Sequence, residues 1–200
     1  MTPAETKAVC DVAHEAGVAV HLDGARIFNA AVALEVPVAE LTRDVDDASF
    51  CLSKSLSCPV GSVLVGSKDF ISEARRWRKM VGGGMRQAGI LAAAGLVALD
   101  TMVDRLAEDH QNARRLAAGL ANIDGLSVDA DSIQTNIVIF DVDEKVAKVP
   151  DFMKTLAEAE VLVSYPGEHS VRMVTHRHIS GDDVEEALSR TSKVVRELQG

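Results

Sequence analysis

The chain has 200 residues, of which 47% are hydrophobic and 26% charged, values that are ordinary for globular proteins and exclude wholesale disorder. Its formal net charge of -9 argues against nucleic acid or an anionic membrane surface as the main partner. The three cysteines form no CxxC pattern, and no apolar run reaches the roughly 18 residues of a membrane span. The sequence therefore predicts a globular protein with reduced thiols in the cytoplasm.

The first half of the sequence alternates helical and strand-like segments. Thr2, Pro3 and Glu5 have the spacing of a helix start and predict a helix over residues 3–16. Strand-like segments follow at VAVHLDG, DDASFCLS and GSVLVGS. A charged amphipathic helix is expected over residues 68–80, before the glycine-rich turn VGGGMRQ. This alternation predicts an α/β fold with parallel strands.

The second half has a different pattern. Alanine and leucine at helical spacing predict a helical tract over residues 88–120, with breaks near residues 100–104. The segments LSVDA, TNIVIFDV, EVLVSYPG and VRMVTH are strand-like, and residues 150–160 and 181–198 are expected to be helical. We expect two domains, residues 1–105 and residues 106–200, the second a small α+β domain.

An acid and an amine follow two neighbouring strands of the predicted sheet. Asp23 ends the strand in HLDGAR, and Lys54 follows the next strand. Ligands of parallel α/β sheets bind at the carboxyl ends of the strands, so the two side chains could face one site. A pyridoxal phosphate (PLP) site needs such a pair, because a lysine binds the aldehyde and a carboxylate pairs with the pyridine nitrogen.

Four motifs in register carry a specific resemblance. The segments HLDGAR, SFCLSKSLSCPVGSVLVG, MVGGGMRQAGILAAAGL and VRMVTH together resemble the low-specificity L-threonine aldolases, PLP enzymes of the aspartate-aminotransferase fold type. The resemblance implies an α/β fold: the C-terminal part of the fold-type-I large domain, with a mostly parallel sheet, and then a small α+β domain. It also implies a homo-oligomer, a dimer or tetramer in the full-length chain.

The resemblance assigns roles to five residues. It implies that Lys54 is the catalytic lysine that forms the Schiff base, and that Asp23 pairs with the pyridine nitrogen. Ser53 is implied to bind the cofactor phosphate. Arg26 and Arg172 are implied to hold the substrate carboxylate, and Arg26 is also implied to bind the cofactor. Two guanidinium groups suit this task, since each can bind a carboxylate through two parallel hydrogen bonds.

The implied reaction is the cleavage of L-threonine or L-allo-threonine to glycine and acetaldehyde. The substrate is a small amino acid, and no metal takes part. Three glycines, Gly82 to Gly84, and Arg86 match a family turn that we interpret as a packing and subunit-contact feature. His21 is interpreted as a packed histidine, or as one that supports a residue of the site, rather than as the catalytic base.

The sequence departs from the family pattern in two ways. Family members have a glycine directly after the lysine, where this chain has Ser55, and Ser57 and Cys58 are also unusual. If position 55 needs a positive φ, a serine there is strained. Family members are also longer, and the match begins near the middle of their large domain, so we expect the C-terminal part of an aldolase.

Other interpretations stay open at this point. The chain could be another fold-type-I enzyme, such as an aminotransferase, a β-eliminating lyase or a serine hydroxymethyltransferase. It could also be an inactive fragment that acts as an interaction partner. Asp23 by itself could be a helix N-cap. His176 and His178, two apart on a predicted strand, are compatible with a metal site, which we consider the weaker interpretation.

Overall fold

A computed structural model describes residues 1–165 and 167–200. The chain divides into two compact units, residues 1–106 and residues 107–200. Each unit contains a three-stranded sheet with helices packed against it. Within the described residues, no helix has both the length and the hydropathy needed to cross a membrane.

The first unit follows the predicted order of elements. Its helices and strands are α1 (Pro3–Glu15), β1 (His21–Asp23), α2 (Ile27–Leu34), α3 (Val38–Leu41), β2 (Asp47–Cys51), β3 (Ser62–Gly66), α4 (Lys68–Met80) and α5 (Gly89–Thr101). The predicted N-terminus of α1 is confirmed: the Thr2 side chain accepts from the Glu5 N–H, and the Glu5 carboxylate accepts from the Thr2 N–H. The predicted bounds of α4 are also confirmed.

The sheet of the first unit has the order β1-β2-β3 and mixed strand directions. β1 and β2 are parallel as predicted, but β3 is antiparallel to β2, so the expectation of parallel strands was wrong for β3. The connection from Cys51 to Ser62 contains no helix. A parallel pairing needs a crossover of a dozen or more residues, usually helical, whereas this shorter loop can only turn the chain back.

One face of this sheet is apolar and packs on helices. Leu22 of β1 and Phe50 of β2 contact Ile27, Ala31 and Leu41 of the α2–α3 region. Phe50 also packs against a second cluster around Leu52, Leu56, Cys58 and Ala98. The opposite face carries His21 and Asp23 on β1 beside Asp47 and Ser49 on β2, because side chains in register share a face. This polar face extends to the carboxyl ends of β1 and β2, where the sequence predicts a PLP site.

The second unit is an α+β lobe. Its elements are α6 (Leu106–Leu120, which begins at the last residue of the first unit), β4 (Leu126–Ser127), a 3₁₀ turn (Ala130–Ser132), β5 (Ile137–Val142), α7 (Val149–Glu158), β6 (Ser170–Val174) and α8 (Gly181–Gln199). The predicted strand EVLVSYPG was wrong for its described residues: Ser164 makes an isolated antiparallel bridge to Arg172. Pro166 of that segment lies outside the described residues.

The core of the second unit lies between its antiparallel sheet and its helices. The inward side chains of β5 and β6 alternate as expected for a half-buried sheet, with Val138, Phe140, Val171 and Met173 buried. They pack against helical residues that are also buried, including Ala113 and Leu116 of α6, Phe152 and Leu156 of α7, and Val184 and Val194 of α8. Phe140 and Phe152 meet edge to face, with ring centroids 6.3 Å apart.

A buried hydroxyl in α8 leads to the first prediction. Thr191 is fully buried, and its Oγ1 has no hydrogen-bond partner among the residues that the structure describes. Burying an unsatisfied hydroxyl costs about 1–3 kcal/mol. Thr191→Val keeps the shape of the side chain and removes the hydroxyl, so we expect it to raise the free energy of unfolding by about 1 kcal/mol. Urea unfolding at constant pH measures the change.

Thr175 provides the matched control for this prediction. It is equally buried, but its Oγ1 donates to the Asp109 carbonyl over 2.6 Å. Thr175→Val therefore removes a satisfied hydrogen bond and should destabilise the chain by about 1 kcal/mol or more. If both variants shift stability in the same direction, the buried hydroxyl of Thr191 is not the cause.

Candidate active site

The site is built at the carboxyl ends of two parallel strands. Asp23 is the last residue of β1 and lies opposite Ser49 of β2 in the strand register. Lys54 lies three residues beyond the end of β2, on the loop that leads to β3. Both strands run in the same direction, so both side chains belong to the same sheet edge. Both are also exposed, as a site for a ligand requires.

The turn after Asp23 is fixed to β2. Gly24 donates its N–H to the Ser49 carbonyl over 2.8 Å, and a Cβ at Gly24 would lie 2.9 Å from that oxygen. Only glycine permits this approach. Asp23 Oδ1 accepts from the Ala25 N–H over 3.1 Å, so the carboxylate is tied to its own turn. Asp23 is not the N-cap of α2, because that position belongs to Arg26, which is half-buried.

Residues 52–61, which we call the lysine loop, are closed by backbone hydrogen bonds. At the base, the N–H groups of Leu52 and Ser53 donate to the Gly61 carbonyl over 2.9 and 3.3 Å. Further in, Cys58 donates to the Leu52 carbonyl over 3.0 Å, and Ser57 donates to the Lys54 carbonyl over 2.8 Å. Lys54 is therefore carried on a turn that is itself tied to the start of the loop.

Buried side chains anchor the lysine loop to the core. Leu52, Leu56 and Cys58 are each at most 8% exposed and pack with Ala98 of α5. The Cys58 thiol also contacts the Ala94 carbonyl over 3.5 Å, and burial raises the pKa of this thiol. A thiol with a raised pKa is a poor nucleophile, so Cys58 serves packing. Ser53 and Lys54, in contrast, are exposed.

The strained backbone position of this loop is not where it was expected. Ser55 does not have a positive φ; it is buried, with 5% exposure. Ser57 instead has a φ of 62°, in the left-handed region that non-glycine residues rarely adopt. The conformation of each residue depends on how the loop closes on the core. The spacing in the sequence does not contain this information.

The polar sheet face includes a histidine and an aspartate that sequence reasoning did not pair. His21 Nδ1 is hydrogen-bonded to Asp47 Oδ1, across the parallel strands at the position where the two residues are in register. The His21 ring is half exposed, so the expectation of a packed histidine was only partly right. The alternation of polar and apolar residues in HLD and DAS is the signal from which this pair could have been found.

Arg172 belongs to the second unit. It lies in the middle of β6, opposite Ile139 of β5, and its backbone exchanges two hydrogen bonds with Ser164. Its side chain is half-buried on the sheet face opposite to that of Val171 and Met173. Its Nε is buried and has no hydrogen-bond partner among residues 1–165 and 167–200. The prediction that VRMVTH contains a strand is confirmed, while the role of Arg172 at the site stays a prediction.

The two candidate metal ligands lie outside the strand to which they were assigned. β6 ends at Val174, so His176 and His178 follow it, with ring centroids 5.8 Å apart and the His178 N–H donating to His176 Nδ1. Within the described part of the chain, no group of three or more His, Cys, Asp or Glu side chains could hold a metal ion.

The structure brings an exposed lysine on an anchored loop and a carboxylate to the same edge of a sheet, and these are the types of group with which enzymes form and stabilise Schiff bases. The chain belongs to the beta-eliminating lyase family, whose model matches residues 1–144.

Comparisons with individual proteins agree with this assignment. The chain is 47% identical over 191 residues to the probable low-specificity L-threonine aldolase 2 of Arabidopsis thaliana. This match covers 93% of the chain and 53% of the relative. The chain spans about half the length of the curated relatives it matches. The predicted resemblance to low-specificity threonine aldolases is thereby confirmed.

Solved structures confirm the predicted fold type. A threonine aldolase from Leishmania major matches 98% of this chain and 57% of its own, at 16% identity and a TM-score of 0.74. The Oryza sativa TDC, solved with PLP, matches 98% of this chain and 45% of its own, at 19% identity and the same TM-score of 0.74. At such low identities, the likeness shows the α/β fold alone.

Proposed function

We propose that this chain carries the lysine-bearing part of a PLP-dependent aldolase that cleaves L-threonine or L-allo-threonine to glycine and acetaldehyde. The observation that carries the proposal is the common location of Lys54 and Asp23 at the carboxyl edge of β1 and β2. The similarity to low-specificity threonine aldolases supports the substrate class. The proposal concerns the activity of the whole protein of which these residues are part.

The donor set at this edge fits PLP. The group needs an amine for its aldehyde, a carboxylate for its ring nitrogen and donors for its phosphate, and Lys54, Asp23 and Ser53 supply these types. Lys54 is exposed and carried on a closed turn, so its amine can reach a ligand without moving the core. When bound, PLP supplies a protonated ring that accepts the electron pair left when a bond at the α-carbon breaks.

The residues of this chain would orient the substrate and hold protons. Asp23 would keep a proton on the ring nitrogen, because a carboxylate stabilises a cation beside it. Arg26, next to that turn, and Arg172, on the outer face of β6, would bind the α-carboxylate of the amino acid. Holding the carboxylate at one end aligns the bond between Cα and Cβ for cleavage. The catalytic base has no assigned residue in this proposal.

Further parts of the proposal concern organisation and location. Residues 1–105 would be part of the PLP-binding large domain, and residues 106–200 would form the small C-terminal domain. A homo-oligomer is supported by exposed apolar side chains on the first unit, including Trp77, Met80, Val81 and Ile90. A cytoplasmic location is supported by the three cysteines, all of which are free thiols.

The test of this function is spectroscopic and chemical. The chain is mixed with PLP, and the visible spectrum, a borohydride-trapped adduct and acetaldehyde release from L-threonine are measured. We expect a covalent adduct at Lys54 that disappears in Lys54→Ala, with Lys68→Ala as the matched control on an exposed surface lysine. An adduct spread over all lysines alike would contradict the proposal and support an inactive fragment that binds a partner.

A second activity is favoured by the family assignment itself. The name of the matching family refers to β-elimination, a reaction that converts an amino acid with a leaving group on its β-carbon to a keto acid. Acetaldehyde and glycine from threonine would support the aldolase. Keto acid without glycine would support the lyase or another fold-type-I activity.

A further inference from the structure

The lysine loop contains a backbone conformation that needs an explanation. Ser57 has a φ of 62°, which is unfavourable for a residue with a side chain. Glu35 and Glu160 also have positive φ values, but they lie at the C-terminal ends of α2 and α7, where helices commonly finish in this way. Gln87, with a φ of 54°, lies in the glycine-rich turn just before α5, outside the lysine loop. Ser57 follows no helix. Its strain therefore belongs to the loop that carries Lys54.

The strain has a geometric cause. Lys54 is exposed, whereas Leu56 and Cys58 on either side of Ser57 are buried and fixed in the core. The chain must turn back within three residues of Lys54 to bring both side chains inward. The Ser57 N–H donates to the Lys54 carbonyl, 2.8 Å away, and the left-handed backbone of Ser57 then redirects the chain so that the Cys58 N–H donates to the Leu52 carbonyl over 3.0 Å. Strained backbone of this kind persists where surrounding contacts determine it, and it clusters at functional sites.

We infer that Ser57 is a positioning residue for Lys54: its left-handed backbone turns the chain back directly after the turn over residues 54–57, brings the Cys58 N–H to the Leu52 carbonyl, and so holds the amine outward at the end of β2. The backbone rather than the hydroxyl carries this role, because the one side-chain contact of Ser57 Oγ among the described residues is a long one, 3.4 Å to the Ser55 carbonyl. The inference rests on the proposed function of Lys54 and adds a residue that determines where its amine lies.

Substitutions at Ser57 separate the backbone from the hydroxyl. Ser57→Gly removes the steric cost of the left-handed conformation, and Ser57→Ala removes only the hydroxyl. Ser57→Val places a β-branched side chain where a positive φ is a genuine outlier, so it should force the turn open. Ser57→Thr is a milder β-branched change that serves if the valine variant does not fold.

Two measurements on each variant test the inference. The first is amide hydrogen exchange at Ser57 and Cys58, whose N–H groups donate to Lys54 and Leu52. The second is the amount of borohydride-trapped PLP adduct at Lys54 relative to Lys68, an exposed lysine on α4 that serves as the internal reference. Exchange at the paired residues of β1 and β2, outside the loop, reports whether the first unit of the variant remains folded.

We expect the glycine and alanine variants to keep both the exchange protection and the Lys54 adduct, with a higher melting temperature for glycine. The valine variant should lose the exchange protection at Ser57 and Cys58, and its Lys54-to-Lys68 adduct ratio should fall at least fivefold, while β1 and β2 stay protected. An unchanged Lys54-to-Lys68 adduct ratio in a valine variant whose turn has opened would overturn the inference. A valine variant that keeps both the exchange protection and the Lys54 adduct would overturn it as well. If the unaltered chain forms no specific Lys54 adduct, the proposed function fails, and the exchange comparison still decides whether Ser57 holds the turn.

Discussion

Asp23→Asn is expected to lower kcat/KM for threonine cleavage by about a hundredfold or more, the loss typical when one preorganised electrostatic group is removed from an active site. In the proposed site, Asp23 holds a proton on the ring nitrogen of PLP, and a neutral amide cannot stabilise that charge. The free energy at stake is about 2.7 kcal/mol for each hundredfold loss in rate. Steady-state kinetics with saturating PLP measures the change.

The structure makes asparagine the appropriate substitution. Asp23 Oδ1 accepts from the Ala25 N–H, and an amide oxygen can accept the same bond, so the turn after β1 is kept and only the charge is lost. Asp23→Ala removes both the charge and the turn. The asparagine variant should therefore unfold at the same temperature as the parent and still form the Lys54 adduct. Activity within threefold of the parent would remove Asp23 from the ring-nitrogen role.

Local signals allowed most helices to be predicted from the sequence. The start of α1 depends on side chains three residues apart, and so does that of α8, where Ser180 and Asp183 form the same reciprocal bonds. Interactions of this range can be read along the chain. The direction of β3 could not be predicted in this way, because it depends on what connects it to β2 rather than on the apolar pattern of the strand itself.

The candidate site shows the same division between local and distant information. Lys54 and Asp23 were found from motifs, because their residue types and spacing are written in the sequence. The positive φ of Ser57 was not found, since it follows from the burial of Leu56 and Cys58 against α5, more than 30 residues later. A sequence motif identifies which groups can do chemistry. The packing that aims them has to be observed.

Phe152→Ala is expected to destabilise the chain more than any other change considered, by about 3–5 kcal/mol. Phe152 is fully buried at the centre of the second unit, where α7 packs on the sheet, and its ring meets Phe140 edge to face. Truncation removes this aromatic contact and leaves a cavity that the rigid neighbours fill only in part. A loss of this size is a large part of the 5–15 kcal/mol that typically stabilises a protein.

Thermal unfolding followed by circular dichroism, together with urea unfolding, measures this loss. Leu162→Ala is the matched control in the same unit, because Leu162 is 85% exposed and its truncation should change stability by at most about 0.5 kcal/mol. The first unit has its own core clusters, and in the part of the chain that the structure describes Phe152 belongs to neither of them. The variant should consequently lose exchange protection in β5 and β6 before it loses protection in β1 and β2. Equal loss in both sheets would mean that the two units unfold as one cooperative structure.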